Sequence, residues 1–141
     1  MNNENFKSDR YFTVFDFVIS HGQLLLRSSK DESNNKNIDI IFFGARFIQL
    51  FASLWSISIR IVDKNKSPIN YKSVNSFLIT DENYLFEIET KNEKYYIGAS
   101  YFKVYENELE YNETSLGLSE TKGREREIAG SRYCEGTVDL T

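Results

Sequence analysis

The chain holds one histidine, His21, and one cysteine, Cys134, and these bound the nucleophilic and acid–base chemistry open to it. His21 as a general base needs a nucleophile or substrate within hydrogen-bond reach. Its neighbour Ser20 ends an extended stretch in which adjacent side chains point to opposite faces, so a serine–histidine couple has poor geometry there. Ser20-His21-Gly22-Gln23 reads instead as a two-residue hairpin turn, with Gly22 free to take positive φ. Cys134 lies in Arg132-Tyr133-Cys134-Glu135-Gly136, where one arginine favours a thiolate and one glutamate opposes it. One histidine and one cysteine make no metal-ligand set, and no spaced Asp/Asn/Gly loop for calcium occurs. Glycine-rich phosphate loops, dinucleotide fingerprints and nucleophile elbows are absent from the sequence, so no cofactor is expected.

Four carboxylates, Asp16, Asp39, Glu87 and Glu89, fall on predicted strands, and a pair of acids brought together would suit glycoside hydrolysis. Each has a simpler reading. If Ser20 pairs with Gln23, Asp16 lies opposite Arg27, which predicts a structural ion pair between them. Glu87 and Glu89 alternate with apolar residues and point to solvent. Asp39 sits in the apolar run 38–43, where a buried acid needs a partner, and Arg46 or Arg60 would supply it. A hydrolase built around Asp39 is the remote alternative.

The elements that must position these groups are mostly strands. Tyr11, Thr13, Phe15, Phe17 and Ile19 alternate with Phe12, Val14, Asp16 and Val18, which predicts a strand over residues 10–20. A polar loop follows at 29–37, then the central strand at 38–43, broken by Gly44. Residues 45–55 fit a strand or a helical stripe, with strand favoured by their β-forming composition. Ile57, Ile59 and Ile61 mark another strand, and further strands are expected at 74–80, 84–90 and 95–105, with Thr90 pairing with Tyr95 and a bulge at 98–100. A short charged helix over 120–127 is the one helix the pattern suggests. These elements predict a mainly β fold: an antiparallel barrel or two-layer sandwich of about eight strands. Residues 1–9 are expected to be a flexible N-terminus, 10–106 the antiparallel β domain, and 107–141 an acidic C-terminal segment whose order the pattern leaves open.

Composition narrows the function. Of 141 residues 40% are apolar, with eleven phenylalanines and nine tyrosines, enough for an ordered single-domain core. The apolar neighbourhood 38–61 is interrupted by Asp39, Arg46, Gln49 and Arg60, so it does not read as a membrane span. The polar first ten residues carry no secretory pattern, and a lone cysteine fits a reducing, cytoplasmic setting. A net charge of −4 argues against nucleic-acid binding. From residue 106 onward there are nine acids against four bases, whereas the preceding stretch is nearly balanced.

These features predict a non-catalytic protein-interaction module, of the inhibitor or immunity type, that binds a protein with a basic surface. Strand alternation and charge nominate Glu87, Glu89, Tyr96, Glu106, Glu108 and Glu110 as its contact residues. Unprotected edge strands offer a route to a homodimer. Tyr11, Tyr84, Tyr95, Tyr96, Tyr101 and Tyr105 either edge the core, the favoured reading, or form a recognition surface. The alternative function is a barrel carrying a small apolar ligand against Phe15, Phe17, Phe42, Phe47 and Trp55.

Overall fold

β-branched and aromatic residues at a period of two dominate the first half of the chain and set its long strands. The computed structural model describes residues 4–117 and 122–132. Its strands are β1 (Glu4–Val18), β2 (Gln23–Ser28), β3 (Asn37–Phe43), β4 (Phe47–Gln49), β5 (Ser53–Ile61), β6 (Tyr84–Glu89), β7 (Lys94–Ala99), β8 (Tyr101–Asn107) and β9 (Arg126–Gly130), with one helix, α1 (Lys72–Ile79). All pair antiparallel in one sheet of order β4-β7-β6-β5-β1-β2-β3-β8-β9. The mainly β, antiparallel expectation therefore holds.

The sheet wraps without a ladder joining β4 to β9. Phe42 on β3 and Phe86 on β6 are separated in sheet order by β5, β1 and β2, yet their ring centroids are 5.7 Å apart. Phe102 on β8 meets both rings, at 5.3 and 5.4 Å. Only Ser100 divides β7 from β8, so one bent stretch borders β6 with its first half and β3 with its second. The enclosed core, with Phe12, Leu26, Ile40, Leu54, Ile57, Ile59, Ile88 and Ile97, is fully or almost fully buried.

Two covers lie outside the wrapped sheet. Residues 108–117 cross β2, β3 and β8, where Leu116 packs on Leu25, Ile41 and Tyr105. On the other flank α1 and the preceding loop set Ile69, Val74 and Leu78 against Leu85, with Phe47, Phe77 and Tyr96 beside them. Neither of these two clusters includes a residue of β5, and the middle strands β5 and β1 carry the ring pair Tyr11–Trp55, which stays exposed.

Several expectations are corrected. The stretch expected to be flexible over 1–9 enters β1 at Glu4, where the ladder with β5 begins. The strand expected over 74–80 is α1, because Val74, Phe77 and Leu78 recur at helical spacing over one apolar patch. The described part of 120–127 is a turn leading into β9.

The first hairpin is also wider than expected. Ile19–His21 form a 3-10 turn closed by Gly22 at φ 57°, and Val18 rather than Ser20 faces Gln23. The second hairpin keeps a turn of four residues but moves it back by one, so that Glu89 faces Lys94 in place of Thr90 facing Tyr95, and Phe86 faces Ile97. A shift of two leaves every side chain on its expected face, so Phe86, Ile88, Ile97 and Ala99 still line the core.

Asp16 and Arg27 do not pair. The wider turn sets Asp16 opposite Leu25, and a further slip between Val14 and Asp16 sets Arg27 opposite Thr13. Asp16 accepts instead from Thr114 Oγ1 at 2.7 Å and from the Phe17 backbone N–H.

Candidate binding surface

A bulge in the bare middle of the sheet shapes its outer surface. Tyr11 faces Trp55 and Ser8 faces Ile57, so Asp9 and Arg10 on β1 are spanned by Ser56 alone on β5. Ser56 takes φ 53°, the left-handed region, and is the one non-glycine residue with positive φ among the described residues. This breaks the alternation of β5. Leu54 and Ile57 both point into the core, and Trp55 and Ser56 between them are both exposed.

Trp55 is 63% exposed and packs against Tyr11, which is 40% exposed, with ring centroids 4.5 Å apart and planes tilted by 45°. Phe51, 62% exposed, precedes β5 on the same side of Trp55 as a groove of about 220 Å³ that also takes in Asn92, Glu93 and Tyr95. On the other side of Trp55 a groove of about 560 Å³ runs along Asp9, Tyr11 and Thr13 to Lys30, Asp31 and Asn34. Trp55 is the ridge between the two.

The larger groove's cations are already engaged. Arg10 donates to Ser28 Oγ at 2.9 Å and to the Lys36 carbonyl at 3.0 Å, pinning the loop after β2. Lys30 donates to the Glu108 carbonyl at 2.8 Å and pairs with Glu110 at 3.4 Å. Arg27 is held by Asp39. Its anions are freer. Asp9 has no hydrogen bond or ion pair among the described residues. Backbone N–H groups of Asn34 and Ser33 hold the Asp31 carboxyl below its ordinary value, both through Oδ1.

The residues nominated from the sequence separate into two groups that four strands keep apart. Glu87 is buried, taking Arg60 Nη2 at 2.6 Å and the Tyr96 hydroxyl at 3.3 Å, so it is not a solvent-facing acid. Tyr96 is half-buried beneath α1, and burial first, then Glu87, raises its phenol pKa. Glu89 alone of that group is exposed. On the far flank Glu106 pairs with Arg126 at 3.0 Å, Glu108 with Lys36 at 3.5 Å, and Glu110 with Lys30. Most of the nominated acids are therefore answered by the chain's own bases.

Asp39 finds its partner in Arg27, directly opposite on β2, and not in Arg46 or Arg60. Arg27 Nε and Nη2 donate to the two Asp39 oxygens at 2.7 and 2.8 Å, and Asn107 and Ser115 add donors to Oδ2 at 2.9 and 2.6 Å. Both charges are fully buried and Arg27 also lies over the Phe15 ring at 4.1 Å. A carboxylate so enclosed has no room for a substrate. His21 is exposed in its turn, and Cys134 lies outside the described residues. No group of three or more His, Cys, Asp or Glu suited to a metal occurs among the described residues, and none of their helices is long and apolar enough to cross a membrane.

The residues proposed to line a carrier cavity do not converge: Phe42 is core, Phe15 covers Arg27, Phe47 packs near α1, and Phe17 and Trp55 are exposed. Alternation continued back from Ile57, Ile59 and Ile61 would turn Trp55 inward, and the structure turns it out. Serines at 53, 56 and 58 are the only local sign of another arrangement.

No protein-family model, curated protein or solved structure matches this chain. The surface is therefore read on its own chemistry.

Proposed function

We propose that this protein is a non-catalytic protein-interaction module whose contact surface is centred on Tyr11 and Trp55. The observation that carries this reading is the exposed ring pair on the bare β1–β5 face, held there by a left-handed Ser56. An indole left in water forgoes about 2 kcal/mol of burial, and backbone strain adds about 1–3 kcal/mol, both of which a bound partner offsets. Tryptophan and tyrosine are also the residue types on which protein interfaces most often concentrate their energy. The acids nominated from the sequence support the reading less, since self-pairing leaves them little charge to offer.

The test compares capture of partners from the native lysate by the tagged protein and by its Trp55→Ala variant, at low and high salt. Trp55 makes no core contact, so the variant should keep the parent's melting temperature within about 2 °C. A partner retained by the parent and lost by the variant supports the reading. Identical capture by both would sink it.

A further inference from the structure

We infer that the groove beside Trp55 receives an arginine side chain presented by the partner. This rests on the interaction reading above and names what that surface recognises.

The first support is a habit of this molecule's outer face. Phe43 and Tyr101, on adjacent strands β3 and β8, stack at 4.7 Å. Arg124 lies over Phe43 at 5.4 Å and Arg132 over Tyr101 at 4.3 Å. Phe15 carries Arg27 in the same way. Tyr11 and Trp55 are likewise in contact across adjacent strands, β1 and β5, though tilted at 45° rather than stacked, and no guanidinium or ammonium lies over either ring among the described residues. The negative face of an indole attracts a cation, and more strongly than any other side-chain ring.

The second support is the charge left over in the groove. Arg10, Arg27 and Lys30 each already hold acceptors of this chain. Asp9 is unpartnered, and Asp31 keeps Oδ2 free of hydrogen bonds among the described residues. The polar groups of the groove still without a partner are therefore carboxylate acceptors, which suit the N–H donors of a cation. Asp9 and the ring pair arise from the same bulge, which sets an unanswered carboxylate beside an unanswered aromatic surface.

Arginine fits this pairing better than lysine. Its planar guanidinium stacks on a ring while its edge N–H groups reach a carboxylate. A groove of about 560 Å³ is larger than one side chain and accommodates the flanking residues of an extended segment.

Trp55 is the only tryptophan in the chain, so its emission reports on this ring's surroundings, and Asp9→Asn, which lies in the larger groove only, separates that groove from the smaller one. The probe is a capped pentapeptide with one arginine among glycines and serines, titrated against lysine and citrulline versions and against a neutral cello-oligosaccharide. Arginine should give a saturable emission change, at least about threefold tighter than lysine, with citrulline weaker still. Asp9→Asn should weaken the arginine peptide about threefold and leave citrulline unaffected. Equal responses to arginine and citrulline, saturation by the oligosaccharide alone, or no response to any probe would each overturn the inference. In all three cases a partner captured through Trp55 would leave the interaction reading standing, whereas capture indifferent to Trp55→Ala would remove both.

Discussion

Arg27 and Asp39 face each other across β2 and β3, and their bidentate contact ties the sheet to the segment that covers it. Ser115 donates to Asp39, and Arg27 Nη1 donates to the Glu113 carbonyl, so both ends of the pair reach into residues 108–117. Burial of two charges is costly unless every lone pair and proton is used, and here four donors converge on one carboxylate. Asp39→Asn should cost about 3–5 kcal/mol in urea denaturation, because it leaves Arg27 charged and unanswered. A double-mutant cycle with Arg27→Met should show coupling above about 1 kcal/mol. Additive losses would mean that the two residues act separately.

Ser56 offers a test of the bulge. Ser56→Gly removes the penalty of a left-handed φ and should leave stability unchanged or raised. Ser56→Val, β-branched at the same φ, should destabilise by about 1–3 kcal/mol. If valine were tolerated, β5 would have to relax to regular alternation, and Trp55 emission would shift to the blue as the ring turned inward.

Tyr105 gives the fold an alkaline limit. Burial first, then the nearby Glu127, pushes its phenol up to about 12. The unfolded chain loses that proton near 10, so its contribution to stability is intact below 10 and drains away as pH rises from about 10 to about 12. Absorbance at 295 nm should show a tyrosine phase near 12, and Tyr105→Phe should remove it. Ionisation of Tyr105 together with the exposed tyrosines would contradict its burial.

Gly22 closes the first hairpin against the chain beyond β3. A Cβ there would meet the Ala45 carbonyl oxygen at 2.9 Å, and the backbone is left-handed at φ 57°. Ala45 N–H also donates to the Gly22 carbonyl at 2.8 Å, so neither side has room to retreat. Gly22→Ala should lower stability by about 1–2 kcal/mol, measured by thermal unfolding. No loss would show that the turn can reshape without this contact.

The sheet was legible in the sequence wherever one face is buried, because alternation then carries the signal. Alternation with Glu87 and Glu89 turns Phe86 and Ile88 inward, and both line the core. Register was less legible, since a turn of two residues and one of four leave the same alternation. Counting from a two-residue turn matches Asp16 to Arg27, but the wider turn sets Asp16 opposite Leu25, and a slip near Phe15 then moves Arg27 on to Thr13. The binding surface was hidden for the same reason: Ser56 reverses alternation through backbone conformation, which residue type does not announce. Helix α1 was hard to read because its eight residues make only about two turns, too few for the helical spacing of Val74, Phe77 and Leu78 to stand out between strands.

The bent stretch spanning β7 and β8 has a consequence for how the chain is made. β3 gains β2 as a neighbour as soon as both leave the ribosome, but its other edge waits for Tyr101–Asn107, about 60 residues later. At ordinary translation speeds of about 5–20 residues per second, that edge stands open for about 3–12 s. It carries Ile40, Ile41 and Phe42, apolar on both faces, and an open apolar edge recruits other strands. Until the second half of the bent strand arrives, the nascent chain presents the surface that chaperones capture, and the hazard ends when seven residues pair along β3.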